Sequence, residues 1–240
     1  MSRIKGILVV IQFSLTVALV IIFMYLFRNN THKIIKIWMS FQMFFLGVKI
    51  DEVGKMDETC DLLLMNHQSL LDILVVEHIH SRHIAWVGKS ELTNMPFFGH
   101  IMKAPRMITI NREDKQGIVS LFKEAKDRLD KGRPIAIFPE GTRTDGDKLL
   151  EFKAGAKLLA NKYELRVQPM VIFNTREILD SRRFTSAPGT IKIVYLKPIQ
   201  AKRKTPWFED MEAQMQEILD EGLKEKGELK KLKKLKKKEK

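Results

Sequence analysis

A histidine and an aspartate five positions apart, His67 and Asp72, stand in the run Asn66-His67-Gln68-Ser69-Leu70-Leu71-Asp72. Imidazole is the side chain best suited to accept a proton near neutral pH, and a carboxylate about one helical turn away can hold its other nitrogen in one tautomer. No Ser or Cys stands where it obviously completes a nucleophilic triad, so the pattern suggests a base acting directly on a substrate hydroxyl. The same letters also fit a helix capping box, Ser69-x-x-Asp72, with His67 an incidental loop residue. Spacing alone leaves both readings open.

A second candidate is Phe138-Pro139-Glu140-Gly141-Thr142-Arg143-Thr144, directly after an apolar run. Such a turn offers backbone N–H groups through Gly141, a hydroxyl from Thr142 and, from Arg143, a guanidinium able to grip phosphate with two hydrogen bonds. It lacks the Gly-Lys-Ser/Thr ending of a Walker loop, and the chain has no GxGxxG. A polar turn with an exposed arginine is the plain alternative.

The elements that must carry these residues alternate. Leu62–Met65 reads as a strand and 69–80 as a helix; 84–87, 107–110, 135–138, 167–173 and 191–196 read as further strands. Residues 117–130 form an amphipathic helix ending at Gly132, 96–103 a short helical stretch, and 154–161 another helix. A last helix starts with Thr205 as cap and Pro206 as first residue. Strands interleaved with helices predict an α/β domain around a mostly parallel central sheet flanked by helices.

Ahead of this domain the pattern changes. Gly6 to Phe27 contains no charge, which as a helix reaches about 33 Å, enough to cross a bilayer's hydrocarbon core. Met24-Tyr25-Leu26-Phe27-Arg28 offers no small-residue cleavage site, so an uncleaved anchor, spanning or re-entrant, is expected rather than a signal peptide. The stretch 34–48 is too short to span. Its Trp38, Phe41, Phe44 and Phe45 between Lys33 and Lys49 suit an interfacial helix or one docked on the domain. More basic residues follow the anchor than precede it, which favours a cytoplasmic catalytic domain. The expected organisation is 1–50 for membrane attachment, 51–223 for catalysis and 224–240 as a Lys-rich tail.

The two candidate constellations, taken together and in order, resemble the glycerolipid acyltransferase family, specifically bacterial-type lysophosphatidic acid acyltransferases. Asn-His-x4-Asp is similar to that family's first block, and Phe-Pro-Glu-Gly-Thr-Arg to its third. Lys89-Ser90-Glu91-Leu92 through Pro96 and Gly99 to Ile110-Asn111-Arg112 resembles the second, and Val167-Gln168-Pro169-Met170-Val171 the fourth. Gln168 stands where a more apolar residue is usual. The resemblance spans about 62–173, with a similar membrane-associated N-terminus.

It implies a fatty acyl transfer from acyl-CoA or acyl-carrier protein to the sn-2 hydroxyl of lysophosphatidic acid, giving phosphatidic acid, with no cofactor and no metal. His67 is then the general base and Asp72 its orienting partner. Asn66, Ser69, Lys89, Arg112, Glu140, Gly141, Thr142 and Arg143 become substrate-binding positions, with Arg112 and Arg143 reaching the acceptor phosphate. A backbone N–H near the third block is the expected oxyanion donor. The expected partners are membrane phospholipid and these substrates, at the cytoplasmic face of a bacterial inner membrane. Another lysolipid acceptor, hydrolysis of the thioester, or a non-catalytic membrane tether are the alternatives.

Composition agrees with a lipid setting. Of the 240 residues 45% are apolar, which excludes wholesale disorder, and the formal charge is +13. Lys224 to Lys240 holds ten Lys and three Glu, so over half of that excess lies in the tail, which reads equally as a basic membrane helix or a solvated end. The basic surplus is expected to serve anionic lipid, not nucleic acid. Cys60 stands alone, so no intramolecular disulfide or multi-cysteine metal site is available. His78-x-His80-x2-His83 looks metal-like but has no completing carboxylate pattern, and is set aside.

Overall fold

The computed structural model describes residues 3–111 and 116–238. Two helices open the chain, α1 (Arg3–Leu26) and α2 (Thr31–Leu46). Then follow β1 (Val48–Val53), β2 (Leu62–Met65), α3 (Leu71–Ile79), β3 (Ala85–Lys89), α4 (Ser90–Asn94), α5 (His100–Lys103) and β4 (Ile108–Ile110). After them come α6 (Gly117–Asp130), β5 (Ile135–Ile137), α7 (Ala154–Tyr163), β6 (Arg166–Phe173) and α8 (Thr175–Ile178). A small hairpin, β7 (Leu179–Asp180) with β8 (Thr185–Ser186), precedes β9 (Gly189–Tyr195), β10 (Ile199–Gln200) and α9 (Trp207–Lys238).

The sheet runs β1-β9-β6-β2-β5-β3-β4, with β10 on β6. From β6 to β4 every neighbouring pair is parallel. The β9 strand is antiparallel to β6 and parallel to β1, so β9 and the edge strand β1 run the other way. Strand β2 sits at the centre and is buried on both faces, which is why it reads as four apolar residues without alternation. Its Leu63 and Met65 join the core beneath α1, α2 and α3, while Leu62 and Leu64 join the core beneath α6, α7 and α9. Each such side chain contributes about 1.5–3 kcal/mol by leaving water.

The N-terminal helices are thus part of one outer layer rather than an appendage. Val9, Val17, Val20, Ile21 and Met24 of α1 pack inward, and Gln42 of α2 donates to the Thr16 hydroxyl at 2.9 Å. Near its start α1 lies so close to β8 that a Cβ on Gly6 would collide with the carbonyl of Phe184. Near its end the Tyr25 hydroxyl meets His100 Nδ1 of α5 at 2.6 Å. Both ends touch the domain, so α1 lies along it, although it is long and apolar enough to span. The opposite face stays exposed and apolar: Ile4, Ile7, Leu8, Ile11, Leu15 and Leu19, with Ile37, Phe41, Phe44 and Phe45 on α2.

Two boundaries differ from the sequence reading. The expected interfacial stretch ends earlier, because Gly47 takes the left-handed conformation that caps α2 and lets β1 begin at Val48. This strand falls inside the stretch expected for membrane attachment, so the catalytic sheet starts before residue 51. The β7–β8 hairpin carries no strong periodicity and was not expected.

Candidate functional site

Strands β2, β3 and β5 are parallel, so the loops leaving their carboxyl ends gather at one edge, the usual place for a site in such a sheet. Asn66-His67 leaves β2, Lys89 ends β3, and Phe138 to Arg143 leaves β5. His67 Nδ1 meets Asp72 Oδ2 at 2.8 Å. The same carboxylate oxygen accepts the backbone N–H groups of Gln68 at 2.7 Å and Ser69 at 2.8 Å. Asp72 thus closes the start of α3 and, with the same oxygen, fixes the imidazole. A carboxylate acceptor on Nδ1 holds the ring proton there and leaves Nε2 for the cavity. Phe138 stacks on the ring, centroids 3.8 Å apart and planes 11° from parallel, which removes the remaining rotation.

Several expected substrate contacts have other partners. Asn66 is buried and exchanges both hydrogen bonds with Ile172, its Nδ2 to the carbonyl at 3.0 Å and its Oδ1 from the N–H at 2.7 Å. The Ser69 hydroxyl donates to the Leu179 carbonyl at 2.6 Å. Glu140, also buried, accepts the His67 N–H at 2.8 Å and the Leu150 N–H at 2.9 Å. Burial pushes its pKa up, with those two donors opposing. These three side chains brace the loops instead of facing a ligand, a correction to their expected role: a polar side chain buried this deeply is held by backbone groups that need it. The N–H of Gly141 bonds the Phe138 carbonyl at 3.0 Å, so that turn amide is taken up.

His67, Lys89, Gly141, Thr142 and Arg143 do come together, around a cavity of about 480 Å³. Arg112 lies outside the described residues. One wall of the cavity is apolar and comes largely from residues outside the chemistry-bearing motifs: Phe13 and Val17 of α1, Trp38 and Met39 of α2, Ile73 and Leu74 of α3. The rim is cationic, with Lys89 and Arg143 joined by Arg182 from the β7–β8 turn. Sequence reading missed the apolar wall, Phe138 as a stacking partner, and Arg182; of these only the Ser181-Arg182-Arg183 basic run left a visible trace. The histidines 78, 80 and 83 find separate partners in Ser40, Glu58 and His32. Among the described residues no group of three or more metal-ligating side chains gathers.

Comparison with known proteins bears on this arrangement. A family model described as acyltransferase matches residues 57–173. The 1-acyl-sn-glycerol-3-phosphate acyltransferase of Helicobacter pylori is 38% identical over 218 residues, covering 90% of this chain and 92% of that protein. The chain belongs to the 1-acyl-sn-glycerol-3-phosphate acyltransferase family. An acyltransferase with a different printed acceptor, the lyso-ornithine lipid O-acyltransferase of Brucella abortus, shares 34% identity over 138 residues, 54% of this chain and 51% of its own. The crystal structure of the 1-acyl-sn-glycerophosphate acyltransferase from Thermotoga maritima has the same fold, with a TM-score of 0.71 over 94% of this chain and 97% of that one at 22% identity. In this acyltransferase the matched segment contains both the dyad and the turn from Phe138 to Arg143.

Proposed function

We propose that the protein transfers a fatty acyl group from a pantetheine thioester, acyl-CoA or acyl-carrier protein, to the sn-2 hydroxyl of lysophosphatidic acid. The observation that carries this reading is the cavity itself, where His67 stands between an apolar wall and a cationic rim. His67 Nε2 takes the hydroxyl proton while Asp72 supports the imidazolium that forms. The acceptor oxygen attacks the thioester carbonyl, a C–O bond forms as the C–S bond breaks, and the imidazolium returns its proton to the departing thiolate. No acyl-enzyme is needed. Arg143, Lys89 and Arg112 receive the acceptor phosphate, and the apolar wall receives the acyl chains.

The outward apolar faces of α1 and α2 support a site held at a membrane surface with α1 lying in one leaflet, and the greater number of basic residues after the anchor favours the cytoplasmic side. Both reactants reside in the bilayer, so holding the cavity at that depth removes much of the cost of search and orientation. Transfer to a different lysolipid is the second reading, favoured by the similarity to the Brucella abortus enzyme.

A labelled acyl transfer assay in detergent micelles, run with acyl-CoA and with acyl-carrier protein as donor, tests both, with lysophosphatidate, lyso-ornithine lipid, glycerol 3-phosphate and a neutral lysolipid offered in parallel. Phosphatidate formed by wild type and abolished in His67→Ala is the expected result. Product only from another acceptor would move the protein to the second reading. No transfer from either donor class would leave a membrane tether.

A further inference from the structure

We propose that Arg182, outside all four motif blocks, is a further ligand for the acceptor's phosphate and works as a pair with Arg143; this rests on the acceptor being a phosphate monoester. The two arginines come from separate parts of the chain yet are tied to each other. The Arg182 guanidinium donates from Nη2 to the backbone carbonyl of Arg143 at 3.0 Å. In return Arg143 Nη1 donates to the hydroxyl of Ser181, the neighbour of Arg182, at 2.8 Å. Both line the same cavity as His67, and among the described residues no carboxylate stands within ion-pair distance of either one or of Lys89. The carboxylate that does line the cavity, Glu77, is buried and held toward its neutral form, its pKa pushed up to about 7 by burial. Three cations around one opening, with no carboxylate in ion-pair reach among the described residues, favour a polyvalent anion, and two guanidinium forks match the three oxygens of a terminal phosphate.

The segment carrying Arg182 is fixed, as a binding element has to be. Asp180 accepts the backbone N–H groups of Arg182 at 2.9 Å and Arg183 at 3.1 Å, while Arg176 Nε donates to its other oxygen at 3.1 Å. Arg176 also donates to the Thr144 carbonyl at 3.0 Å, so the hairpin and the loop after β5 share one brace. From the other side α1 presses Gly6 against Phe184–Thr185. Arg182 is thus placed at the rim where the membrane helix, the hairpin and the Arg143 turn meet, the position from which a headgroup at the bilayer surface is reached.

The test compares full-length wild type with Arg182→Ala, Arg182→Gln and Arg182→Lys in the micelle assay, varying lysophosphatidate at saturating acyl-CoA. Gln keeps an N–H donor for the Arg143 carbonyl but loses the charge, which separates a ligand from a brace. The expected result is an acceptor KM raised on the order of tenfold in both Ala and Gln, consistent with loss of a charge-assisted hydrogen bond. Turnover number, acyl-CoA KM and thermal midpoint stay near wild type, and Lys recovers part of the acceptor affinity. A Gln variant that behaves as wild type while Ala is impaired overturns the ligand role in favour of a brace. Unchanged acceptor KM in all three overturns it outright, with the parent reading intact because wild type still forms phosphatidate. A wild type that forms no phosphatidate overturns both.

Discussion

His67 and Asp72 meet at 2.8 Å, whereas His32 and Glu77 approach only to 3.9 Å, and both carboxylates belong to α3. Asp72 sits in the first turn, where backbone N–H groups point outward and one carboxylate oxygen collects three donors. Glu77 lies further along, where the helix offers no unpaired donors, and receives a single hydrogen bond, from Trp86 Nε1 at 2.8 Å. Burial then raises Glu77 to about 7 and lowers His32, so this pair tends to neutrality. The contrast teaches that a buried His–Asp or His–Glu contact is not in itself catalytic machinery. What separates the two is the supply of fixed donors to the carboxylate and an imidazole edge left open to a cavity. The His32–Glu77 pair instead belongs to a polar seam that joins α2 to the end of α3, together with Lys36 donating to the His80 carbonyl at 2.8 Å.

The largest effect should separate these pairs by activity. His67→Ala is expected to lower transfer by about 10³-fold or more, and Asp72→Asn by about 10²-fold through the wrong tautomer, while the fold is kept. His32→Ala should leave turnover within a few-fold of wild type. Initial rates with both substrates saturating make the measurement, and equal losses at His32 and His67 would erase the distinction drawn here.

How far this was legible beforehand differs along the chain. The α/β class, the central strands and the dyad were readable, because β2 is an uninterrupted apolar run and His67 and Asp72 lie within one loop and one turn. The brace made by Glu140 was not, since a Glu after Phe-Pro looks the same whether its carboxylate faces a ligand or the N–H of His67. Nor was the contribution of α1 and α2 to the cavity wall, because an apolar helix bears the same letters whether it faces lipid or Ile73 and Leu74. Arg182 depends on contacts between residues 38 or more positions apart, which no local pattern records.

A second, intermediate effect should appear in stability against pH. The folded-state pKa of Glu77 is raised from 4.5 to about 7, so the fold favours its protonated form. That preference is fully present below about 4.5 and is lost as pH rises through 7, on the order of 3 kcal/mol across the window. Glu77→Gln keeps an acceptor for Trp86 without the titration, so its thermal midpoint relative to wild type should rise between pH 5 and pH 8. His83 acts in the opposite direction. Burial, with Arg133 and His32 nearby, depresses it to about 3, so its contribution is complete above 6.5 and fades as the solution is acidified. These two windows overlap, so in the seam, with Lys36 and Glu58 also facing it, the two opposing changes largely offset each other between about pH 4.5 and 6.5. A midpoint difference between Glu77→Gln and wild type that is independent of pH would remove Glu77 from the account.

The smallest effect concerns Trp86, the residue that touches both regions. Its indole N–H serves Glu77, and its ring stacks on Phe138 at 5.5 Å, which in turn stacks on His67. Trp86→Phe keeps a ring against Phe138 but removes the donor to Glu77. At pH 8, where Glu77 is largely ionised, a hydrogen bond to a charged oxygen is lost; at pH 5 only one to a neutral acid is lost. The variant's stability deficit should therefore be greater at pH 8 than at pH 5 by about 1 kcal/mol. Transfer activity at a temperature where both proteins are folded should fall by less than about threefold, because the imidazole keeps Asp72 and the face of Phe138. Unfolding midpoints at the two pH values, read beside initial rates, make the comparison. A deficit that is equal at both pH values, or a loss of activity approaching that of Asp72→Asn, would mean that the seam and the dyad are one coupled unit rather than two pairs differing in donor supply.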